Sequence, residues 1–273
     1  MELSKIYHLE EITLPALADL FPSNFRDTTQ GWPLKRKRIS TRSLKKKIKE
    51  LLKLPDIEPA LEELSQAPAG RVINSLFSFL YNEDPLIKWN AVTAFGVVVS
   101  GLACEDMEAA RVIIRRLMWN LNEESGGIGW GSAEAMGETL ALNESLAREY
   151  SPILLSYIRE DGNYQEHEFM QRAVLWAIGR LALARPGIFP DGGRYILPFL
   201  SSGDATVRGL AAWALGLLGA EEARPGLEQL AGDENLVDFY LDRKLIRRPV
   251  KDLAAGALKR LSQGGENGKE PPN

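Results

Sequence analysis

The sequence predicts an all-α protein, an α-solenoid of about five antiparallel helix pairs. The main observation is a short signature that recurs along the chain: an alanine, a large apolar residue and a glycine. Its copies are Ala94-Phe95-Gly96, Ala135-Met136-Gly137, Ala177-Ile178-Gly179 and Ala214-Leu215-Gly216, with a degenerate fifth copy at Ala257-Leu258-Lys259. Successive copies are 41, 42, 37 and 43 residues apart. This is the period of two-helix units that stack into solenoids.

Turn and cap residues divide this array into helix pairs. In Asn82-Glu83-Asp84-Pro85, for example, Asp84 suits the N-cap of a helix and Pro85 suits its first turn. The signature lies in the second helix of each pair. The predicted pairs are 71–81 with a helix from 85 through 98, 107–121 with 128–142, 150–158 with 168–184, 192–200 with 204–218, and 222–231 with about 248–261.

Helical periodicity places five positions of each second helix on one face, at −9, −5, −2, −1 and +2 counted from the signature glycine. In the fourth repeat all five are apolar: Val207, Ala211, Ala214, Leu215 and Leu218. The first and third repeats are apolar at the same positions. Small residues at −5, −2 and the glycine position should let neighbouring helices approach closely.

The stretch from Asp204 to Gly219, DATVRGLAAWALGLLG, resembles the HEAT-like repeats of the bilin-lyase (PBS lyase) type. The resemblance is close for this repeat and looser for the other four, over roughly residues 70 to 262. It implies a right-handed stack of antiparallel helix pairs that serves mostly as a binding scaffold. It does not imply bilin chemistry, because a fold does not fix a function.

Composition divides the chain into three parts. Residues 1–58 are predicted to form an N-terminal helical cap that contains a basic amphipathic helix, and residues 59–262 the repeat array. Residues 263–273 should be a disordered tail, because SQGGENGKEPPN is too polar and too rich in glycine and proline to bury anything. Within the fifth repeat, the long linker between Leu230 and Val250 is expected to add a short helix.

The basic segment from Lys35 to Lys53 carries ten Lys/Arg residues against one acid, although the whole chain has a net charge of −4. Its apolar residues recur at helical spacing. One interpretation is an electrostatic contact with nucleic acid, an anionic lipid surface or an acidic protein. The alternative is a solvated helix whose apolar stripe packs on the first repeat. The candidate contact residues are Lys35, Arg36, Lys37, Arg38, Lys45, Lys46, Lys47 and Lys49.

The remaining composition indicates a cytoplasmic protein. Cys104 is the single cysteine, so an internal disulfide is excluded and a reducing compartment is expected. The first residues lack the basic and apolar regions of a signal peptide, and no transmembrane segment is predicted.

A second stripe on the second helices, at positions −7, −3 and +1, holds four of the six tryptophans. In solenoids of this type the second helices line the concave side, so this stripe is where a ligand would lie. Trp and Arg often anchor interfaces. The predicted partner-binding residues are Trp89, Trp130, Glu134, Arg172, Trp176, Arg180 and Trp213.

Two alternatives apply to this stripe. The tryptophans can instead cover the shoulders of neighbouring helices with their indole N–H groups satisfied locally. The carboxylates Glu134 and Glu138 can pair across the repeat interface with Arg172 and Arg180 rather than contact a ligand.

No catalytic constellation is evident in the sequence. The two histidines, His8 and His167, are far apart, and a lone cysteine gives no zinc-type spacing. Phosphate-binding and dinucleotide-binding motifs are absent from the sequence. Glu134 and Glu138 share a helical face, but no neighbouring group prepares them for acid–base work. No catalytic residue, metal or cofactor is therefore predicted.

The leading hypothesis is a non-enzymatic HEAT-like scaffold that binds a protein or peptide through a Trp-lined concave face. A second hypothesis is nucleic-acid binding, as in HEAT-like DNA glycosylases, which the groove residues Trp130, Glu134, Arg172 and Trp176 superficially resemble. The repeats are net acidic, which is unfavourable for holding duplex DNA. A third, suggested by repeat type alone, is a cofactor-handling role like that of bilin lyase subunits.

Overall fold

The computed structural model describes residues 40–123 and 129–267, which form twelve α-helices and one β-hairpin. The first six helices are α1 (Thr41–Leu52), α2 (Glu58–Ser65), α3 (Ala69–Phe77), α4 (Pro85–Glu105), α5 (Met107–Leu121) and α6 (Ser132–Leu142). The others are α7 (Glu144–Ser156), α8 (Glu168–Ala184), α9 (Gly193–Ile196), α10 (Ala205–Leu218), α11 (Arg224–Gln229) and α12 (Val250–Asn267). The strands are β1 (Leu236–Leu241) and β2 (Lys244–Pro249).

The helices form five consecutive pairs that stack as the sequence predicts. The pairs are α3 with α4, α5 with α6, α7 with α8, α9 with α10, and α11 with α12. Short 3-10 turns extend α9 and α11. Each second helix packs on the second helix of the next pair, from α4 through α6, α8 and α10 to α12. The solenoid architecture is therefore confirmed.

Two signature glycines, Gly137 and Gly216, lie where second helices come closest, whereas Gly179 lies against the Trp213 ring and Gly96 against the Glu138 side chain. A Cβ atom built on Gly137 would lie 2.6 Å from the Cα of Ala177, and one on Gly216 would lie 2.5 Å from the Cα of Ala257. Non-bonded carbon atoms do not approach this closely in folded proteins, so a side chain at either position would force the two backbones apart. The small-residue seam thus sets the spacing between repeats.

The predicted core face is buried. Val207, Ala211, Ala214 and Leu215 have no exposed surface, and Leu218 is partly buried. The five corresponding positions of α4 and of α8 are buried as well. Burial of large residues at −1 between small ones gives each repeat its share of one continuous apolar core.

Side-chain caps fix where the second helices begin. The Asp84 carboxylate accepts a hydrogen bond from the Leu86 amide at 3.0 Å, and Asp204 accepts one from the Val207 amide at 2.9 Å. These bonds satisfy amides that the first turn of a helix leaves without a partner. As a result α4 and α10 start at defined residues.

Helix α1 is the basic amphipathic helix of the sequence prediction. Its apolar residues Leu44, Ile48 and Leu52 are buried against α3 and α4, while Lys45, Lys46, Lys47 and Lys49 are exposed. Lys47 pairs with Glu63, and the Lys45 ammonium lies 5.6 Å from the ring centroid of Phe79. The apolar stripe therefore packs on the first repeat. Lys35, Arg36, Lys37 and Arg38 lie outside the described residues.

At the other end of the array, α12 continues to Asn267. The tail boundary predicted after residue 262 consequently falls inside a helix. Residues 268–273 lie outside the part of the chain that the structure describes.

The prediction of a short helix in the linker before α12 is wrong, because this segment forms an antiparallel β-hairpin. Its two-residue turn, Asp242-Arg243, has φ of 49° and 60°, the positive values that suit tight hairpin turns. Val237 and Phe239 are buried while Asp238 between them is exposed. Alternation of buried and exposed residues and the presence of aromatic residues are typical of a β-strand. The sequence analysis missed this pattern because it considered only the charged residues of the linker.

Among the described residues, α4 is the one helix long and apolar enough to cross a membrane by length and composition. Most of it is buried in the protein, where it packs on α3, α5 and α6. Its apolar character is accounted for by its central place in the first two repeats.

Candidate binding surface

The β-hairpin lies against the tryptophans of the second helices. The ring of Tyr240 stacks on that of Trp89, with centroids 4.5 Å apart and planes within 7°. The Trp176 indole N–H donates to the Tyr240 carbonyl at 2.8 Å, and Trp176 and Trp89 have centroids 4.7 Å apart. Phe239 meets Trp213 edge-on at 4.8 Å. The three tryptophans thus form one wall, and the hairpin covers it.

Tyr240 is held at its polar end too. Its hydroxyl lies 2.8 Å from the Thr93 Oγ1, close enough for a hydrogen bond between the two buried groups. Burial raises the pKa of Tyr240 to about 12, so the neutral hydroxyl persists further into the alkaline range than that of an exposed tyrosine. The side chain is therefore fixed both by aromatic packing and by a buried hydrogen bond.

The tip of the hairpin reaches the N-terminal part of the array. Arg243, in the turn, forms an ion pair with Glu58 at the start of α2. Burial lowers the pKa of the Arg243 guanidinium from its ordinary value. The hairpin consequently spans the second helices from the fifth repeat back to α2.

This arrangement corrects the expectation of an open tryptophan wall. Trp176 and Trp213 are each only 3% exposed, and Trp89 is partly buried. The hairpin supplies the aromatic contacts that a bound ligand was expected to make. For Trp176 the alternative interpretation holds, since its indole N–H is satisfied within the chain.

The buried carboxylates of α6 pair with neighbouring repeats. Arg180 donates to Glu138 through Nε at 2.6 Å and Nη2 at 3.2 Å, the pairing that the sequence analysis anticipated. Glu134 pairs instead with Lys88 of the first repeat, whose Nζ lies 2.7 Å from Oε1. Both carboxylates are buried, so they join repeats rather than face solvent.

Two further pairs continue this ladder. The Arg172 Nε donates to Asp204 at 3.1 Å, and the Arg208 Nη2 donates to Asp233 at 2.6 Å. Desolvation opposes the ionised form of both aspartates, but hydrogen bonds from these arginines and from neighbouring residues outweigh it and lower the pKa of both. Arg172 thus contacts Asp204 of the fourth repeat, so the alternative of pairing with the acids of α6 holds for Arg180 but not for Arg172.

The described residues offer no evident metal site: no three His, Cys, Asp or Glu side chains are grouped to hold an ion. Glu134 keeps one oxygen, Oε2, without a hydrogen-bond partner among them, and Arg180 likewise keeps Nη1. These atoms are buried within the ion-pair ladder. An arrangement of this kind holds helices together and gives no acid–base pair open to a substrate.

An exposed aromatic pair lies at the start of the second helices. Trp130 precedes α6 and is 45% exposed, and Phe169 lies in the first turn of α8 and is 40% exposed. Their ring centroids are 4.9 Å apart. The sequence analysis did not include Phe169, because the stripe of predicted binding positions began at position −7 counted from the signature glycine. One more helical turn, to −10, would have included it.

Glycine and lysine residues hold this pair in place. Gly131 has φ of 76°, and a Cβ atom there would lie 2.3 Å from the Leu80 carbonyl oxygen, so only glycine fits. Lys88 lies beneath the aromatic rings. Its Nζ is 5.1 Å from the Trp89 centroid and 5.9 Å from that of Phe169, while it pairs with Glu134. We name Trp130 and Phe169, together with Lys88 and Trp89, the aromatic edge.

The family of HEAT-like repeats matches residues 169–218, which run from α8 through α10. The fold is a HEAT-like solenoid. An uncharacterized protein from the archaeon Archaeoglobus fulgidus is 26% identical over 181 residues, which are 66% of this chain and 92% of that protein.

Two solved structures of this kind are more distant. The archaeal HEAT-like repeats protein from Thermococcus onnurineus is 13% identical, with a TM-score of 0.39 over 84% of this chain and 83% of that one. Computationally designed armadillo repeat proteins for modular peptide recognition are 17% identical, with a TM-score of 0.42 over 78% of this chain and 98% of theirs. At such TM-scores neither similarity carries a functional argument.

In this HEAT-like solenoid the two sets of tryptophans therefore have different surroundings. Trp89, Trp176 and Trp213 pack against the hairpin, whereas Trp130 presents its ring to solvent beside Phe169. Among the predicted binding residues, Trp130 is exposed and the side chain of Arg172 is partly exposed.

Proposed function

We propose that this chain is a non-enzymatic HEAT-like scaffold that binds a protein or peptide partner at its aromatic edge. The observation that carries the proposal is the exposed, mutually packed pair of Trp130 and Phe169. Large aromatic rings at the surface are costly in water and are the side chains that most often anchor protein interfaces. The hairpin covers Trp176 and Trp213, and buried ion pairs hold Glu134 and Arg180. The aromatic edge and the partly exposed Arg172 are the members of the predicted stripe that a partner can reach.

The two rings of the aromatic edge are in contact before any partner binds, with centroids 4.9 Å apart. Gly131 fits closely against Leu80, and the Lys88–Glu134 ion pair joins the first two repeats. Side chains that are packed before binding lose less conformational entropy on association, so more of the contact energy appears as affinity. Trp119, by contrast, is 71% exposed on α5, and none of the described residues places an aromatic ring against it. It provides a matched control.

Replacing both Trp130 and Phe169 by alanine should abolish partner capture without unfolding the protein. Tagged full-length wild type, the double variant and Trp119→Ala would be compared by affinity purification and mass spectrometry from the native cell. We expect partners that wild type and Trp119→Ala retain and the double variant loses. The same partners on all three proteins, at equal unfolding midpoints, would reject the proposal.

The exposed lysines of α1 support nucleic-acid binding as a second candidate function. Arg42, Lys46 and Lys49 are exposed on a helix whose apolar side is buried. Binding of a duplex oligonucleotide should weaken steeply as salt rises, and replacing these three residues by glutamine should reduce the salt dependence by up to about three released counterions. A gel-shift titration measures both, and absence of binding at low salt eliminates this candidate. Bilin handling stays a hypothesis that rests on repeat type.

A further inference from the structure

The chemistry of the aromatic edge indicates which kind of partner it fits. Building on the proposed function, we infer that the edge binds a basic peptide segment and receives an arginine or lysine side chain against the Trp130 ring. Three observations carry this inference: a cation already held in the cluster, an excess of carboxylates around it, and an open aromatic face.

The aromatic cluster already accommodates one cation. The Lys88 ammonium lies within 6 Å of the centroids of both Trp89 and Phe169 and pairs with Glu134. At these distances the negative faces of the rings attract a positive charge. The Trp89 and Phe169 rings, together with Glu134, therefore already provide surroundings for one ammonium group.

The charges around the edge are mostly negative. The segments that form it, residues 81–88, 129–134 and 164–172, contain five carboxylates and two cationic side chains. Both cations are engaged, Lys88 with Glu134 and Arg172 with Asp204. Glu166 and Glu168, which flank His167 just before Phe169, are exposed and have no ion-pair partner among the described residues.

Trp130 supplies the surface that remains open. Phe169 packs against it at a tilt of 48°, and 45% of the tryptophan stays exposed. A guanidinium stacked on this ring would gain cation–π attraction, and the excess of acidic side chains in the three segments would add a longer-range electrostatic attraction. An acidic segment would meet repulsion from the same carboxylates, and an uncharged one would gain neither term.

The test uses three acetylated, amidated heptapeptides that alternate glycine with arginine, glutamine or glutamate. The full-length protein is labelled with 5-fluorotryptophan, and the Trp130 resonance is assigned by its loss in Trp130→Phe. We expect the arginine peptide to shift the Trp130 resonance saturably and to bind more weakly as salt rises. The Trp119 resonance should not move.

Variants separate a specific site from general attraction of a basic peptide to an acidic protein. Trp130→Ala should weaken binding about fivefold, and Glu166→Gln with Glu168→Gln about threefold at low salt. Trp119→Ala should leave the affinity unchanged. Equal binding of the glutamine or glutamate peptide, or equal affinity of wild type and Trp130→Ala for the arginine peptide, would overturn the inference.

The peptide titration and the capture experiment can give different outcomes, so they test the basic-peptide inference and the scaffold function independently. Partners that depend on Trp130 and Phe169 in capture, together with no preference for the arginine peptide in the labelled titration, would overturn the basic-peptide inference and leave the scaffold function standing. A Trp130-dependent preference for arginine, with no captured protein lost in the double variant, would uphold the chemistry of the site and reject the scaffold function.

Discussion

Trp176→Ala is expected to lower the free energy of unfolding by about 3–5 kcal/mol, the usual cost of truncating a buried tryptophan. The side chain is 3% exposed and packs on Trp89. Its indole N–H also donates to the carbonyl of Tyr240, which would lose its partner inside the protein. Urea unfolding measures the loss, and amide hydrogen exchange across β1 and β2 should show the hairpin opening more often.

The control for this change is Trp119→Ala, because Trp119 is an exposed tryptophan on a first helix. The free energy of unfolding of the Trp119→Ala variant should stay within about 0.5 kcal/mol of that of wild type. Comparable losses for the two variants, or unchanged exchange of the hairpin amides in Trp176→Ala, would contradict the arrangement described for the hairpin.

Gly137→Ala should lower the free energy of unfolding by about 3 kcal/mol. The added methyl group would lie 2.6 Å from both the Cα and the Cβ of Ala177, so α6 and α8 would have to separate. Overpacking against a neighbouring backbone has few ways to relax, and it outweighs the gain of about 1 kcal/mol that alanine brings to a helix. Thermal and urea unfolding of the variant measure the net effect.

Gly70→Ala is the matched control, since a Cβ atom at Gly70 in α3 meets nothing within 4 Å. That variant should be as stable as wild type or more stable by up to about 1 kcal/mol. If Gly137→Ala matched it in stability, close contact between the second helices would not depend on the signature glycines.

Much of the architecture follows from local sequence. The signature at its repeat period predicts the stacking of second helices, and cap residues such as Asp84 and Asp204 predict where helices begin. These signals are local because the backbone hydrogen bonds of a helix form within the helix, and the residues of its apolar face recur at the helical period.

The hairpin could not be located in the same way. Tyr240 meets Trp89 and Thr93, which are about 150 residues earlier in the chain, and no pattern near Tyr240 indicates that contact. The ion pairs were hard to predict for a related reason. From the sequence, Glu134 could pair with a cation of either neighbouring repeat. How far one second helix is shifted along the next decides the partner, and this shift places Lys88 beside Glu134. Burial of Trp176 and Trp213 was open as an alternative in the sequence, because Trp213 packs on Gly179 of the neighbouring helix, but the part of it that the hairpin supplies could not be foreseen.

The Arg243–Glu58 contact changes how the array responds to stress. In a linear repeat protein each unit touches only its neighbours, so a terminal pair can fray while the others stay folded. Here Arg243, in the hairpin turn before α12, forms an ion pair with α2, and Tyr240 of the same hairpin packs on α4. We therefore expect loosening of the last helix pair to remove contacts from the first, so that the two ends of the array unfold together instead of one at a time.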